Sequence, residues 1–513
     1  MKTGRRAAGI WLGAALFGAA APRPAPAQFA DPAAVPAPTL QQQLDEWYRR
    51  AIRSAPGTWG IAVASQDGQL LWAMNATTPL IPASTVKVFT TGFARTIVGP
   101  EGRRATRVVG TGELDPNTGA WLGTWALEVN GDFTLERPGK PGPTLADLAG
   151  QLAHRGIRSL SGPFTVVSEA GEATARYPAA WADRHRGRAF APPVGTLTVN
   201  ENLVSFRVSP ARRVGGTPIL AGESPLGVGF LVTNRARTVE GSRTRLSLRA
   251  APDGRWTLTG TIGVRARART LTAVSNSPAA LLEAAWSHAL KAAGIEWTPA
   301  AGMSAAGSEP VRSILAEVTS QPYDSIATEV NTRSSNLGAE LLLRWAAGDD
   351  PHRAAQQLTA HVRQVTGDPI GVSLVDGSGL SENDRASAWS FVAYLARFPY
   401  LAGGRNFPSL LPANGQGTLR TLATGLPGAG VLRAKTGTLG NVASVTGYLG
   451  RRDGVLLITM LYNGARTGAA RQEQWRLFRL LGADGIQVPT DEEIIGGQLG
   501  GLEPPLAAVP PAP

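Results

Sequence analysis

Residues 430–462 read GVLRAKTGTLGNVASVTGYLGRRDGVLLITMLY. Three runs rich in apolar and β-branched residues, Gly430–Leu439, Val442–Leu449 and Val455–Tyr462, predict three strands, the last two joined at Arg452-Asp453-Gly454. A helix with Trp475, Phe478 and Leu481 on one face follows them. Near the other end of the chain, Leu40, Leu44, Tyr48 and Ala51 recur at helical spacing, and Thr58–Ser65 and Gln69–Met74 flank an Asp67-Gly68 turn as a hairpin. Strands at both ends, bracketed by helices, point to one sheet assembled from segments nearly four hundred residues apart. A helix predicted from Pro82 places Phe89, Phe93 and Ile97 on one face, stops at Gly99-Pro100 and carries Ser84 in its first turn.

Between these ends the character changes. Residues 101–300 hold short alternating strands such as Trp121–Val129, Gly162–Ser168, Leu203–Val208 and Arg243–Arg249, with one helical patch at Leu145, Leu148 and Leu152. This is an inserted, mostly β region, read as two modules, between catalytic segments at 39–100 and 301–485. Helical patterning returns at Ala279–Ala293 and Leu337–Ala347. The chain has 513 residues, more than one core of ~250–300 residues accommodates. The fold class expected is therefore α/β (α+β) and multi-domain.

Residues 1–27 have the form of a signal peptide: Lys2, Arg5 and Arg6, an apolar run from Ala7 to Ala21, and Ala25-Pro26-Ala27 as a cleavage site. The apolar run is shorter than the ~20 residues of a bilayer span, so cleavage and export are favoured over an uncleaved anchor, and no other stretch is apolar enough for a stable membrane span. A Pro/Ala linker at 28–38 follows, and 486–513, rich in Gly, Pro and Ala, reads as a flexible tail. The formal charge of +12 falls to +8 once Lys2, Arg5, Arg6 and Arg23 are removed, and it is carried by arginine. Such a surface favours polyanions, and an anionic cell envelope suits it better than nucleic acid, because no aromatic platform or binding motif accompanies the arginines. With no cysteine and no His-Glu-x-x-His pair among five histidines, thiol nucleophiles, disulfides and the common zinc sites have no support.

Only five lysines occur beside 45 arginines, and two of them fall in Ser84-Thr85-Val86-Lys87 and Lys435-Thr436-Gly437. A lysine can lose its proton inside a protein; an arginine cannot. Residues three apart on a helix share a face, so the Lys87 amine can reach the Ser84 hydroxyl and serve as its base, provided burial or a second cation, Lys435, lowers its pKa. Neither motif is specific alone: a capping serine beside a surface lysine also reads Ser-x-x-Lys, and Lys2-Thr3-Gly4 repeats the second motif near the N-terminus. In a strand, Gly437 would let a substrate backbone approach, while Thr436, Thr438 and Lys435 could bind a carboxylate. A third element, Ser-x-Asn, occurs as Ser334-Ser335-Asn336 and as Ser381-Glu382-Asn383. The first opens a helix and is preferred as a wall of the site; plain N-capping is its alternative.

Taken together, Ser84-x-x-Lys87, Ser334-x-Asn336 and Lys435-Thr-Gly437 resemble, in that order, the three motifs of the penicillin-binding serine acyltransferases. The 250 residues between Ser84 and Ser334 resemble the D-alanyl-D-alanine carboxypeptidase/endopeptidase family of penicillin-binding protein 4 type, peptidase family S13, whose catalytic domain is interrupted by extra domains. Asn130-Gly-Asp-Phe-Thr-Leu135, Thr198-Val-Asn-Glu-Asn202 and Asp376-Gly-Ser-Gly-Leu-Ser381 are similar to that family too, and the likeness spans about residues 40–485.

The resemblance implies a β-lactamase/transpeptidase-like antiparallel sheet flanked by helices. It implies Ser84 as nucleophile, Lys87 as base, Ser334 as proton relay, Asn336 on the substrate amide, and Lys435, Thr436, Gly437 and Thr438 around the terminal carboxylate. Peptidoglycan stem peptides would be the substrates and β-lactam antibiotics covalent inhibitors, with no metal or organic cofactor, because the reaction is split into two acyl transfers. Two departures bear on specificity: Glu382 stands where the family often has an arginine, and Asp183 is a candidate contact to a diamino acid amine. A β-lactamase or esterase on the same fold, and a non-catalytic wall-binding protein, are the rival readings. A Gly-x-Ser-x-Gly hydrolase has no support, since that motif is absent.

Overall fold

The computed structural model describes residues 39–482 apart from 170, 252, 300–311, 423–424, 427 and 452–453. The expected signal peptide with its Lys2-Thr3-Gly4, the linker, the tail and the two turn residues Arg452 and Asp453 lie outside these described residues.

The first helix, α1 (Leu40–Ser54), starts where Thr39 and Gln42 exchange side-chain and backbone hydrogen bonds, and it buries Leu44, Trp47 and Ala51. Strands β1 (Thr58–Ser65) and β2 (Leu70–Met74) form the expected hairpin, and α2 (Val86–Val98) follows a single tight turn at Ala83–Thr85. Beyond the inserted region come α3 (Tyr323–Arg333), α4 (Asn336–Ala347), α5 (Pro351–Thr366) and α6 (Ala388–Arg397). Strands β3 (Leu432–Leu439), β4 (Val442–Arg451) and β5 (Gly454–Asn463) and helix α7 (Thr467–Leu481) complete this part.

The five strands make one antiparallel sheet in the order β3-β4-β5-β1-β2, with Ile61 opposite Met460 at the seam between the chain's two ends. β1 lies inside the sheet and is apolar on both faces, which gives it a nearly continuous apolar run. Alternate side chains separate as a strand requires: Trp59, Ile61 and Val63 pack with Trp47, Leu477 and Phe478 of α1 and α7. Ala62 and Ala64 join Phe89, Trp389 and Tyr394 of α2 and α6 on the other face.

The inserted region contributes three further main sheets. Ser313–Thr319, Ala105–Leu114, Trp121–Glu128, Val166–Ser168 and Gly171–Glu172 form one, in that order. Because Ser313–Thr319 pairs with Ala105–Leu114, we place the return to the catalytic part near 320 and not at 300. Leu203–Ser209 pairs with Arg269–Val274 and Ile219–Ser224, and Trp256–Gly263 lies among Val232–Asn234, Arg237–Val239 and Thr244–Ala250. The strand expected over Gly162–Ser168 is shorter, Val166–Ser168: Pro163 has no N–H to give a ladder, and Ser159–Ser161 pairs elsewhere, with Glu296–Thr298.

Candidate active site

Ser84 sits in the turn ahead of α2, and Lys87 points back at it from the first turn of the helix. The Lys87 amine donates to Ser84 Oγ at 3.0 Å, to Asn336 Oδ1 at 2.7 Å and to the Ser378 carbonyl at 2.5 Å. Three donors on one nitrogen thus join α2, the start of α4 and the 376–381 loop. From the edge strand β3, the Lys435 amine donates to Ser334 Oγ at 2.9 Å and to the Thr436 carbonyl at 2.7 Å. Ser334 closes α3 in the left-handed region, at φ 57°, whereas Ser335 caps α4 by accepting from Gly338 N. The capping role of this Ser-Ser-Asn stretch therefore falls on Ser335, and the Ser334 hydroxyl is left facing Lys435. In the second Ser-x-Asn copy, Ser381 accepts instead from Asn383 N within its own loop.

Two glycines let the Ser84 turn pack so tightly. A Cβ on Gly437 would lie 2.2 Å from Ser444 Oγ, 2.7 Å from the Pro82 carbonyl and 2.9 Å from Ser84 N. One on Gly379, whose φ is +73°, would lie 1.9 Å from the Ala83 carbonyl. The sequence reading assigned the space at Gly437 to a substrate backbone; the chain itself uses it, since the Ser84 turn is pressed between these two positions.

Both lysines are 0 % exposed. Burial brings the Lys87 ammonium down to about 7, against the opposing pull of Asp376, Glu340 and Asp384. Lys435 is held well below its ordinary value by burial first, then by Lys87 and by Arg471. Desolvation, and not the second cation Lys435, is thus what lowers Lys87. Beneath it lies a buried carboxyl group of three. Asp376 accepts from the backbone N–H groups of Ser378, Gly379 and Ser381 and from Trp181 Nε1, which shapes the loop. Glu340 accepts from Gly377 N at 3.1 Å and is pushed up to about 8 by burial and then by Asp376. Asp384 is raised well above the carboxylate range for the same two reasons.

Behind β3, Arg471 of α7 donates to the Gly437 and Ser444 carbonyls, to Gln474 Oε1 and to Thr438 Oγ1. Thr438 is otherwise exposed, and the Thr436 hydroxyl donates to Thr418 at 2.8 Å. A segment of the inserted region crosses the site: the Phe190 carbonyl accepts from Asn336 Nδ2 at 2.9 Å, and Arg184 pairs with Glu382.

Residues 40–481 match the D-Ala-D-Ala carboxypeptidase 3 (S13) family. The chain belongs to that family. As an S13 protein it is a serine-type D-Ala-D-Ala carboxypeptidase/endopeptidase of the penicillin-binding protein 4 type. It is 25% identical over 472 residues to the D-alanyl-D-alanine carboxypeptidase of Actinomadura sp. (strain R39), covering 86% of this chain and 84% of that one. Over 168 residues it is 33% identical to the carboxypeptidase DacB of Mycolicibacterium smegmatis, 29% of this chain and 36% of the relative. Its fold is that of penicillin-binding protein 4 (dacB) from Haemophilus influenzae, with a TM-score of 0.65 at 19% identity over 84% of this chain and 98% of the other.

In this S13 chain the structure gathers Ser84, Lys87, Ser334, Asn336, Lys435, Thr436 and Gly437 at one end of β3, with Thr438 at its exposed rim. Asp183 stands apart: its carboxylate is largely solvent-exposed and pairs with Arg186 at 2.9 Å. Sequence reasoning missed Glu340, Asp384, Thr418 and Arg471. Glu340 had a legible signal, since it follows Asn336 by four residues and so shares its helix face amid apolar neighbours. Arg471 had none among 45 arginines.

Proposed function

We propose that Ser84 is the acylating nucleophile of this S13 enzyme and Lys87 its general base. The observation that carries this is the 3.0 Å contact between the Lys87 amine and Ser84 Oγ, made by a lysine whose burial brings it to about 7. Neutral Lys87 takes the Ser84 proton as Oγ attacks the carbonyl carbon of the penultimate D-Ala. The Ser84 and Thr438 backbone N–H groups serve as oxyanion donors, a reading supported by how closely β3 abuts Ser84 N.

As the tetrahedral intermediate collapses, the C–N bond breaks and the leaving amine receives a proton relayed through Ser334. Asn336 holds the substrate amide, whose carbonyl would take the place of the Phe190 carbonyl on Asn336 Nδ2. Lys435 and Thr436 hold the terminal carboxylate, whose negative charge restores the Lys435 proton that burial disfavours. Water then hydrolyses the ester and frees Ser84.

The substrates are stem peptides and cross-links of peptidoglycan, and β-lactams acylate Ser84 in their place; the Haemophilus influenzae protein 4 is described in complex with a β-lactam. A cell-wall peptidase acts outside the cytoplasm, and among the described residues no helix is long and apolar enough to cross a membrane. Asp183 is the proposed contact to a diamino acid amine, which would take the place of Arg186 on its exposed carboxylate. Incubation with a fluorescent penicillin should label the protein, and Ser84→Ala should abolish the label with the melting temperature unchanged. Labelling that survives in the folded variant would remove Ser84 as nucleophile.

A further inference from the structure

Between 203 and 274 the chain holds twelve arginines, no lysine and three acids, Glu223, Glu240 and Asp253. This stretch alone has an excess of nine positive charges. Among the described residues, none of the twelve pairs with a carboxylate, whereas arginines elsewhere do, as at Arg137–Glu329 and Arg333–Glu201. Mutual repulsion disfavours such a cluster unless something anionic is near it.

Strand register shows where part of this charge goes. Trp256–Gly263 turns Trp256, Leu258 and Ile262 inward, and Leu258 meets Val208, Ala236 and the flanking Leu246, Leu248 and Leu271 in a small core. The alternate positions face out. Arg245, Ser247 and Arg249 stand opposite Thr261, Thr259 and Thr257. On the far side of the same strand, Arg237 stands opposite Thr261 and Thr233 opposite Thr257. Eight of the outward side chains are therefore a guanidinium or a hydroxyl, the half-buried Val239 opposite Gly263 being the aliphatic one, and Arg237, Arg245 and Arg249 are exposed. Arg237 and Arg245 flank Thr261 across two strand spacings, ~10 Å, and Arg245 and Arg249 are four residues or ~13 Å apart. A single small anion cannot bridge such distances; an extended chain of charges can.

We infer that this outer sheet face is a docking surface for an extended, phosphate-bearing polymer of the cell envelope, and that it holds the peptidase near its wall substrate. Guanidinium and hydroxyl donors suit phosphodiester oxygens. Its one aliphatic side chain, the half-buried Val239, is too little to enter a bilayer, and the face has no aromatic platform on which bases could stack.

The full chain should bind inorganic polyphosphate in low salt and lose it as salt approaches 0.5 M, where screening is shorter than the arginine spacing. The triple variant Arg237→Gln, Arg245→Gln, Arg249→Gln should bind roughly a hundredfold more weakly, at about fivefold per arginine. Its hydrolysis of a soluble D-Ala-D-Ala tripeptide should not change. Should the triple variant fail to melt cooperatively, Arg245→Gln alone should show the fivefold loss. Undiminished polyphosphate binding by the folded variants would overturn the proposal. So would tighter binding of the parent protein to phosphatidylglycerol vesicles or to a single-stranded oligonucleotide than to polyphosphate.

Discussion

Lys87 illustrates how one side chain can be set by its surroundings and not by its type. Its amine has three acceptors within 3.0 Å, is fully buried, and titrates near 7 instead of in the ordinary lysine range. In the proposed mechanism the base is the neutral form, so acylation by penicillin should rise about tenfold per pH unit below 7 and level off above it. Stopped-flow labelling across pH 5–9 checks this, and a profile still climbing past pH 9 would mean that Lys87 keeps its proton. Lys87 was legible in the sequence because lysine is scarce and stands three residues after a serine. The reason its pKa falls was not, since the burial comes from α4 and the 376–381 loop, elements some 250 to 290 residues away.

Helix α4 carries two functions on one face. Asn336 at its first position reaches Lys87, and Glu340 one turn later reaches the N–H of Gly377. Glu340 is pushed up to about 8 in the folded protein from an ordinary value near 4.5. Between those two values the folded state keeps a proton that the unfolded state releases, so stability falls as pH rises from about 4.5 to about 8. Glu340→Gln keeps the acceptor for Gly377 and removes that release. Its melting temperature should therefore exceed that of the parent by a margin that widens from pH 5 to pH 8, measurable by scanning fluorimetry. A margin that stays constant with pH would mean that Glu340 is not protonated in the native state. The helix itself was readable from its apolar spacing. That Ser335 and not Ser334 caps it was not, because the choice depends on the left-handed backbone that ends α3.

At the scale of the molecule, the site exists only when the two ends of the chain meet. β1 pairs with β5 over eight positions, from Thr58–Asn463 to Ser65–Leu456, and Trp47 of α1 donates to the Glu473 carbonyl of α7. Contacts of such long sequence separation form late, after a large loop has closed. A chain ending at Arg451 retains Ser84, Lys87, Ser334, Asn336 and Lys435 but lacks β5 and α7. It should neither bind fluorescent penicillin nor show a cooperative melt, because β1 and β4 then lose the strand between them. Labelling of that truncated chain at the parental rate would show that the sheet seam is dispensable.

The amino-acid order by itself picked out the candidate groups: a serine and lysine on one helical turn, a lysine in a strand, and a Ser-x-Asn at a helix start. Alternation and helical spacing likewise gave most elements of the sheet, because period and turn chemistry are local properties. Only the tertiary structure decided what joins them. The choice between two Ser-x-Asn copies, the squeeze of the Ser84 turn between Gly379 and Gly437, the carboxyls beneath Lys87 and the guanidinium behind β3 all rest on contacts between residues far apart in sequence. Burial and proximity are properties of the packed chain, and these two quantities set a pKa and aim a donor.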